Sequence, residues 1–335
     1  MVRKIHHITV VGDGGWGTTL GVHLVQKRFS VRLWGPFPQY LEEMRKTHSN
    51  PKFLPGIPLP RQLILVDNLK EAIKESDLIV LAIPSQYVRS ILKKIKRINA
   101  PLRNKYFLSV VKGIEISSCL RISQMIKKEL GNIPLAVLSG PTIATEVALG
   151  IPSTAVIASH SLIVAKTIQK VFNSPRFRIY TNTDVAGVEF AGSIKNVIAI
   201  ACGVCDGLGY GTNTKSALVT RGLAEMTRLG VALGARAKTF YGLSGLGDLA
   251  TTCFSPKSRN RNVGEQLGKG KNIRHILDSM NMVAEGVETV KAVYKLSKKY
   301  NISMPITSEV YQIIYHHKTP QQAVSDLMNR EIKSE

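Results

Sequence analysis

The chain has 335 residues, 44% of them hydrophobic and 20% charged, with a formal net charge of +22 and four cysteines. That length exceeds one ordinary hydrophobic core and points to two domains of a soluble globular protein. No apolar run reaches the roughly 18 residues of a membrane helix, and the first residues lead into a strand too short for a signal-peptide core. Four thiols are also too few for a disulfide scaffold. A cytoplasmic enzyme is therefore expected.

The excess of basic residues has two readings, a nucleic-acid binder or a general lysine bias spread over solvated faces. Lys93-Lys94, Lys96-Arg97, Lys127-Lys128 and Lys298-Lys299 are scattered, and few aromatics interleave with them as stacking platforms. The solvated-face reading is preferred, so no nucleic-acid partner is expected; the field would still draw in an anionic substrate. Attraction to an anionic membrane surface stays open as a third reading, without stable insertion.

Ile8 to Val11 reads as a short buried strand that runs into Gly12-Asp13-Gly14-Gly15-Trp16-Gly17 and then a helix to Leu24. This is a G-x-G-x-x-G turn: Gly12 allows the tight turn, Gly14 lets backbone approach a pyrophosphate, and Gly17 lets helix pack on strand. The helix start then offers unpaired N–H groups and a positive dipole end to phosphate. A glycine-rich turn can be only a turn, but its place after a strand and before a helix favours a dinucleotide.

A second strand, Ser30 to Trp34, ends at Gly35-Pro36-Phe37-Pro38. An Asp or Glu belongs at this end in an NAD-specific fold, to hold the adenine ribose 2′-hydroxyl. None is there, which permits NADP as well as NAD. Asn50 to Pro60 carries four prolines and is expected to be a surface loop.

Strands then alternate with helices: Leu63 to Val66, a helix to Glu75, a strand Leu78 to Ile83, a helix from Gln86 to Ile98, a strand Phe107 to Val111, a helix from Ser118 to Leu130, and a strand Leu135 to Leu138. Thr154 to Ala158 and Phe177 to Tyr180 complete the set. The pattern predicts a Rossmann-like, doubly wound, mostly parallel sheet with helices on both faces. Ligands bind beyond the carboxyl ends of such strands, where Gly12 to Gly17, Pro84-Ser85, Lys112-Gly113 and Ser139 to Thr142 would share one rim.

From Asp184 strands disappear and long helical runs with Gly and Ala take over. The expected organisation is a dinucleotide-binding α/β domain over residues 1–183 and an all-α substrate-binding domain over 184–335. Lys195 and Asn196 sit at the centre of a helix otherwise made of small and apolar residues. Either the lysine stem snorkels to solvent or its ammonium faces a site, and because lysine is rarely buried without a partner the site is favoured. Lys112 could act as a second cation near it, or could simply cap a strand at the surface.

Asp248, on the glycine turn Gly242 to Asp248, either holds the lysine or is a solvated carboxylate. Arg259 with Ser258 and Asn260 suits a phosphate, and suits a capped surface helix equally well. Glu285 is a carboxylate between apolar residues and is equally ambiguous. Cys202-Gly-Val-Cys205 has redox-motif spacing, but its apolar helical setting reads as buried thiols. No metal-ligand spacing stands out.

Taken in order, Gly12 to Gly17, Asn50 to Pro55, Val111 to Gly113, Ser139 to Thr142, Lys195 to Ala199, Thr220 to Met226, Gly245 to Leu249, Ser258 to Arg261, Glu285-Gly286 and Met304 to Thr307 resemble the bacterial-type NAD(P)-dependent glycerol-3-phosphate dehydrogenases almost end to end. The resemblance implies reversible reduction of dihydroxyacetone phosphate to sn-glycerol 3-phosphate by NADPH or NADH, feeding glycerophospholipid synthesis, and it suggests a homodimer. It implies that Lys195 gives and takes the proton, with Lys112, Asn196, Asp248 and Thr252 in support. Lys112, Gly140, Thr142, Lys195, Asp248, Ser258, Arg259 and Asn260 would contact substrate. Gly12, Gly14, Gly15, Trp16, Gly17, Lys112, Ala144, Arg259, Val283 and Glu285 would line the cofactor.

The chain departs from the family pattern in two places, both of which bear on cofactor preference. Gly15 stands where serine is usual, and Pro36 where histidine or another polar residue is common. The nearest alternative is a reductase of the same plan acting on a 2-keto acid, against which the Ser258 to Asn262 run argues. A farther one is a basic, nucleotide-fold sensor.

Overall fold

The computed structural model describes residues 4–98, 100–280, 282–332 and 334. The chain divides into two compact units. The first runs to Lys112 and takes in Arg121–Glu189; the second comprises Gly113–Leu120 and the chain from Phe190 onward.

Among the described residues the first unit is built on ten strands. They are β1 (His7–Val11), β2 (Ser30–Trp34), β3 (Ser49–Asn50), β4 (Leu54–Pro58), β5 (Leu63–Val66), β6 (Leu78–Leu81), β7 (Tyr106–Ser109), β8 (Leu135–Ser139), β9 (Ser153–Ala158) and β10 (Phe177–Asn182). Eight form one sheet in the order β10-β9-β8-β7-β6-β1-β2-β5. Every pairing in it is parallel except that of β8 with β9. The expected Rossmann-like architecture is thus the observed one.

The sheet is buried on both faces, and the period of two along its strands assigns each side chain to a face. Ile8 and Val10 of β1, Leu78 and Val80 of β6 and Leu108 of β7 enter one core with Leu20 and Leu24 of the Gly15–Gln26 helix. Val11, Ile79, Leu81 and Phe107 enter the other, against Ile91, Leu92 and Ile95 of the Val88–Arg97 helix and Met125 and Ile126 of the Ile122–Leu130 helix. The basic residues of the Val88–Arg97 helix therefore form its outer face, while its apolar stripe is spent on the core.

Two local expectations are corrected. The proline-rich Asn50 to Pro60 segment is no simple loop: β3 and β4 pair antiparallel there with an irregular register. Pro55 and Pro58 sit in β4 of this two-stranded ribbon, where edge positions need no donor on one side. The helix expected from Ser118 starts at Ile122, where Arg121 backbone N–H donates to Gln124 Oε1 at 3.0 Å.

Among the described residues the second unit is helical from Phe190 onward. Its long helix, Val185–Gly207, begins in the first unit and continues from Phe190 in the second. By length and mean composition it is apolar enough to cross a membrane, although Glu189 and Lys195 interrupt it as an apolar run, and its apolar stretch is wholly buried in the protein.

The Arg259–Gly268 helix crosses this long helix at close range. A β-carbon on Gly264 would stand 2.0 Å from Ile200 O, and one on Gly203 1.9 Å from Arg261 O. Asp206 bridges Lys215 (2.6 Å) and Arg261 (2.6 Å) beside the crossing.

Candidate active site

In the first unit the glycine turn sits where the strand order reverses, between β6 on one side of β1 and β2 on the other. That switch point is where open α/β sheets bind ligands. Gly12 N–H donates to Trp34 O at 2.9 Å and the residue has φ +124°. A β-carbon there would meet Ala82 O at 2.4 Å, so only glycine fits. At Gly17 a β-carbon would stand 2.0 Å from Gly12 O, which is the close helix-to-strand approach the motif requires.

Gly14 has open space on its β-carbon side and caps the Gly15–Gln26 helix with no side-chain bond to its first amides. Two buried polar atoms of the same turn, Asp13 Oδ2 and Trp16 Nε1, have no hydrogen-bond partner. An open glycine, uncapped amides and orphaned polar atoms fit a pyrophosphate-bearing dinucleotide.

Gly15 has a packing reason of its own. A β-carbon there would lie 2.5 Å from Phe53 O in the β3–β4 ribbon, and 4.0 Å from Ala144 Cβ. Asn50 Nδ2 donates to Asp13 O (2.8 Å) and to Thr18 Oγ1 (2.7 Å), which ties the ribbon to the turn. Thr19 Oγ1 donates to Ala144 O at 3.1 Å, so Ala144 lies beside the same helix start. On the rim, Lys112 Nζ and Thr142 Oγ1 each donate to Gly140 O at 3.1 Å, gathering three sequence-predicted residues.

In the second unit Lys195 is 6% exposed and Asp248 1%. Lys195 Nζ lies 2.5 Å from Asp248 Oδ1 and donates to Thr252 Oγ1 at 2.6 Å, while Thr252 Oγ1 donates to Asp248 O at 2.7 Å. The wide turn Leu243–Gly247 and the Asp248–Phe254 helix present the carboxylate and the hydroxyl to the long helix together. The lysine is thus buried against Asp248 and Thr252 and does not snorkel out to solvent, and Asp248 is its partner, not a solvated carboxylate. Asn196, its neighbour, is buried too.

A second group in this unit lies around Gly286, whose β-carbon would meet Asn196 O and Asn260 Oδ1, each at 2.8 Å. Gly286 N–H donates to Asn260 Oδ1 at 2.9 Å, and Arg259, exposed, donates to Val283 O at 2.7 Å. Arg259 and Asn260 are thereby brought to the Val283 to Gly286 segment. Ser258 caps the Arg259–Gly268 helix through Arg261 N–H at 3.2 Å, so its capping role is real.

Glu225 is a buried carboxylate that sequence reasoning passed over, except as part of a motif. It accepts from Ile306 N–H (2.6 Å), Thr307 N–H (3.2 Å) and Thr307 Oγ1 (3.1 Å), docking the Thr220 to Met226 motif on the Met304 to Thr307 motif. Burial pushes its carboxyl up to about 7, against the downward pull of those hydrogen bonds. The available signal was a single acid in the Thr212–Ala232 helix, between Leu223 and Met226. Cys202 and Cys205 are buried thiols, and burial pushes Cys205 up to about 12. Among the described residues no His, Cys, Asp and Glu group suits a metal ion.

Residues 7–165 match the sequence model of the NAD-dependent glycerol-3-phosphate dehydrogenase N-terminus, and residues 184–325 that of its C-terminus. The chain is 46% identical over 331 residues to a glycerol-3-phosphate dehydrogenase [NAD(P)+] of Chlorobium phaeobacteroides strain BS1, covering 98% of both chains. It is 45% identical over 332 residues to the protein of that name in Geobacter sulfurreducens, again covering 98% of each. The crystal structure of glycerol-3-phosphate dehydrogenase from Coxiella burnetii superposes with a TM-score of 0.94 at 36% identity, over 97% of this chain and 99% of that one. With glycine turn, buried lysine pair and both halves matched, the chain belongs to the NAD-dependent glycerol-3-phosphate dehydrogenase family, whose cofactor is NADH or NADPH.

Proposed function

We propose that this chain is the dehydrogenase that interconverts dihydroxyacetone phosphate and sn-glycerol 3-phosphate. The observation that carries the reading is the buried Lys195–Asp248 pair with Thr252 at its side. When bound, a nicotinamide dinucleotide held at Gly12 to Gly17 would supply hydride chemistry at C2, as donor in its reduced form and acceptor in its oxidised form. As the new C–H bond forms, the carbonyl electron pair moves onto oxygen, and Lys195 Nζ donates the proton that oxygen takes up.

Asp248 offsets the cost of burying the ammonium and fixes its direction, and Thr252 supplies the second anchor. Lys112 and Asn196 add electrostatic support. Arg259 grips the phosphate with its guanidinium, helped by the Ser258 hydroxyl and the Asn260 amide; Gly140 and Thr142 contribute backbone and hydroxyl contacts. Gly12, Gly14, Gly15, Trp16, Gly17, Ala144, Val283 and Glu285 line the dinucleotide. In this reading residues 1–183 hold the cofactor and 184–335 the substrate. The product serves glycerophospholipid synthesis in the cytoplasm, made by a homodimer whose mass in solution is open to sedimentation analysis.

The deciding experiment follows oxidation of NADH and of NADPH with dihydroxyacetone phosphate as substrate. Turnover with wild type and near-complete loss in Lys195→Ala, with cofactor still bound, supports the reading. Near-normal turnover in that variant overturns the role of Lys195.

A further inference from the structure

Gly35 is the first residue beyond β2, where a dinucleotide fold of the NAD-specific kind carries an acid for the adenine ribose. The position is not without a carboxylate. A β-carbon on residue 35 would lie 2.4 Å from Asp13 Oδ2 and 2.8 Å from Asp13 Cγ, so the Asp13 carboxylate fills the space that a side chain at 35 would enter.

Asp13 is 7% exposed, and its Oδ2 is buried with no hydrogen-bond donor. An acceptor left in that state costs free energy that a ligand hydroxyl can return. Its own carbonyl is already engaged by Asn50 Nδ2 and Thr18 Oγ1, so the turn is held firmly and the side chain does not drift. Burial raises the Asp13 carboxyl above its usual range, partly offset by its own backbone N–H and by Lys52.

We propose that Asp13, inside the glycine turn, does the work of the missing β2 acid: its carboxylate accepts the adenosine 2′-hydroxyl and repels a 2′-phosphate, making NADH the preferred cofactor. Asp13 and Gly35 form a matched pair, since any side chain at 35 would displace the carboxylate. Lys52, the exposed cation that attracts Asp13, argues for the opposite preference, because an ammonium there could pair with a 2′-phosphate. The inference rests on the reading of Gly12 to Gly17 as the dinucleotide seat.

The test is equilibrium binding by the full chain without substrate, read from its two tryptophans, Trp16 and Trp34, which both lie in this region. The ligands are NADH, NADPH and NADH lacking the adenosine 2′-hydroxyl. A hydrogen bond to a charged acceptor predicts that wild type binds NADH about tenfold or more tighter than NADPH, and loses about tenfold on removal of the 2′-hydroxyl. Asp13→Asn is expected to bring the NADPH to NADH ratio towards one and to shrink the penalty for the missing hydroxyl.

Equal binding of the two cofactors by wild type, or tighter NADPH, overturns the proposal; so does an Asp13→Asn variant that weakens both alike. Should that variant fail to fold, the wild-type loss with the 2′-deoxy cofactor decides. Failure of wild type to bind either cofactor would instead overturn the dinucleotide seat itself.

Discussion

Lys195 Nζ and Asp248 Oδ1 stand 2.5 Å apart across 53 residues of sequence, with side chains 7% and 2% exposed. Breaking such a buried pair from one side leaves an uncompensated charge and typically costs about 3–5 kcal/mol. Asp248→Asn is expected to lower the unfolding midpoint and to reduce kcat by two orders of magnitude or so, comparable to loss of an oxyanion donor (roughly 10²–10³). Thermal melts and steady-state rates check this. A stable variant with unchanged kcat would remove Asp248 from the proposed machinery.

Arg259 reaches from the exposed start of its helix to Val283 O. Its loss in Arg259→Ala is expected to raise the KM for dihydroxyacetone phosphate about tenfold to hundredfold, the worth of a charge-assisted hydrogen bond. kcat should fall less. Arg259→Lys should recover only part of the loss, because an ammonium lacks the planar fork.

The helix bearing Arg259 is seated by backbone contact, so a single methyl group tests the crossing. In Gly264→Ala the new carbon would meet Ile200 O at 2.0 Å, and backbone cannot swing aside as a side chain can. A loss of about 1–3 kcal/mol in unfolding free energy is expected, with a parallel rise in substrate KM. Denaturant titration measures the first.

Glu225 makes stability depend on pH. Its carboxyl is raised from 4.5 unfolded to about 7 folded, so between those values the native state binds the extra proton and stability falls as pH rises. The full effect is on the order of 3 kcal/mol, present as a penalty above pH 7 and absent below pH 4.5. Melts of Glu225→Gln across that window should show a flatter profile than wild type. Parallel profiles would mean that other groups carry the slope.

The thiols offer a simple check of burial. Cys119 is half-buried while Cys202, Cys205 and Cys253 are buried. A thiol-alkylating reagent should label Cys119 in the native protein and the other three only after unfolding, because the thiolate is the reacting species. Rapid native labelling of Cys202 or Cys205 would revive the redox reading of their spacing.

Much of the fold was legible because its signals are local. The glycine spacing of Gly12 to Gly17 and the apolar alternation of Ile8 to Val11 report backbone dihedrals and a period of two, which neighbouring residues set among themselves. The lysine at 195 was conspicuous for a related reason: a cation amid small and apolar residues must be accounted for wherever its helix packs. What failed were the prolines of Asn50 to Pro60, which suggested a loop where Leu54–Pro58 turns back to pair antiparallel with the neighbouring Ser49–Asn50 strand.

By itself, then, the sequence determined the alternating α/β half, the helical half and the presence of a dinucleotide turn. The tertiary structure decided which charges meet. It put Asp248 rather than solvent on Lys195, placed Phe53 O where a serine at 15 would have needed room, and set the Asp13 carboxylate in the space of Gly35. Helix and strand periods arise within a few residues, but burial and ion pairing depend on distances between segments, and no spacing along the chain encodes those.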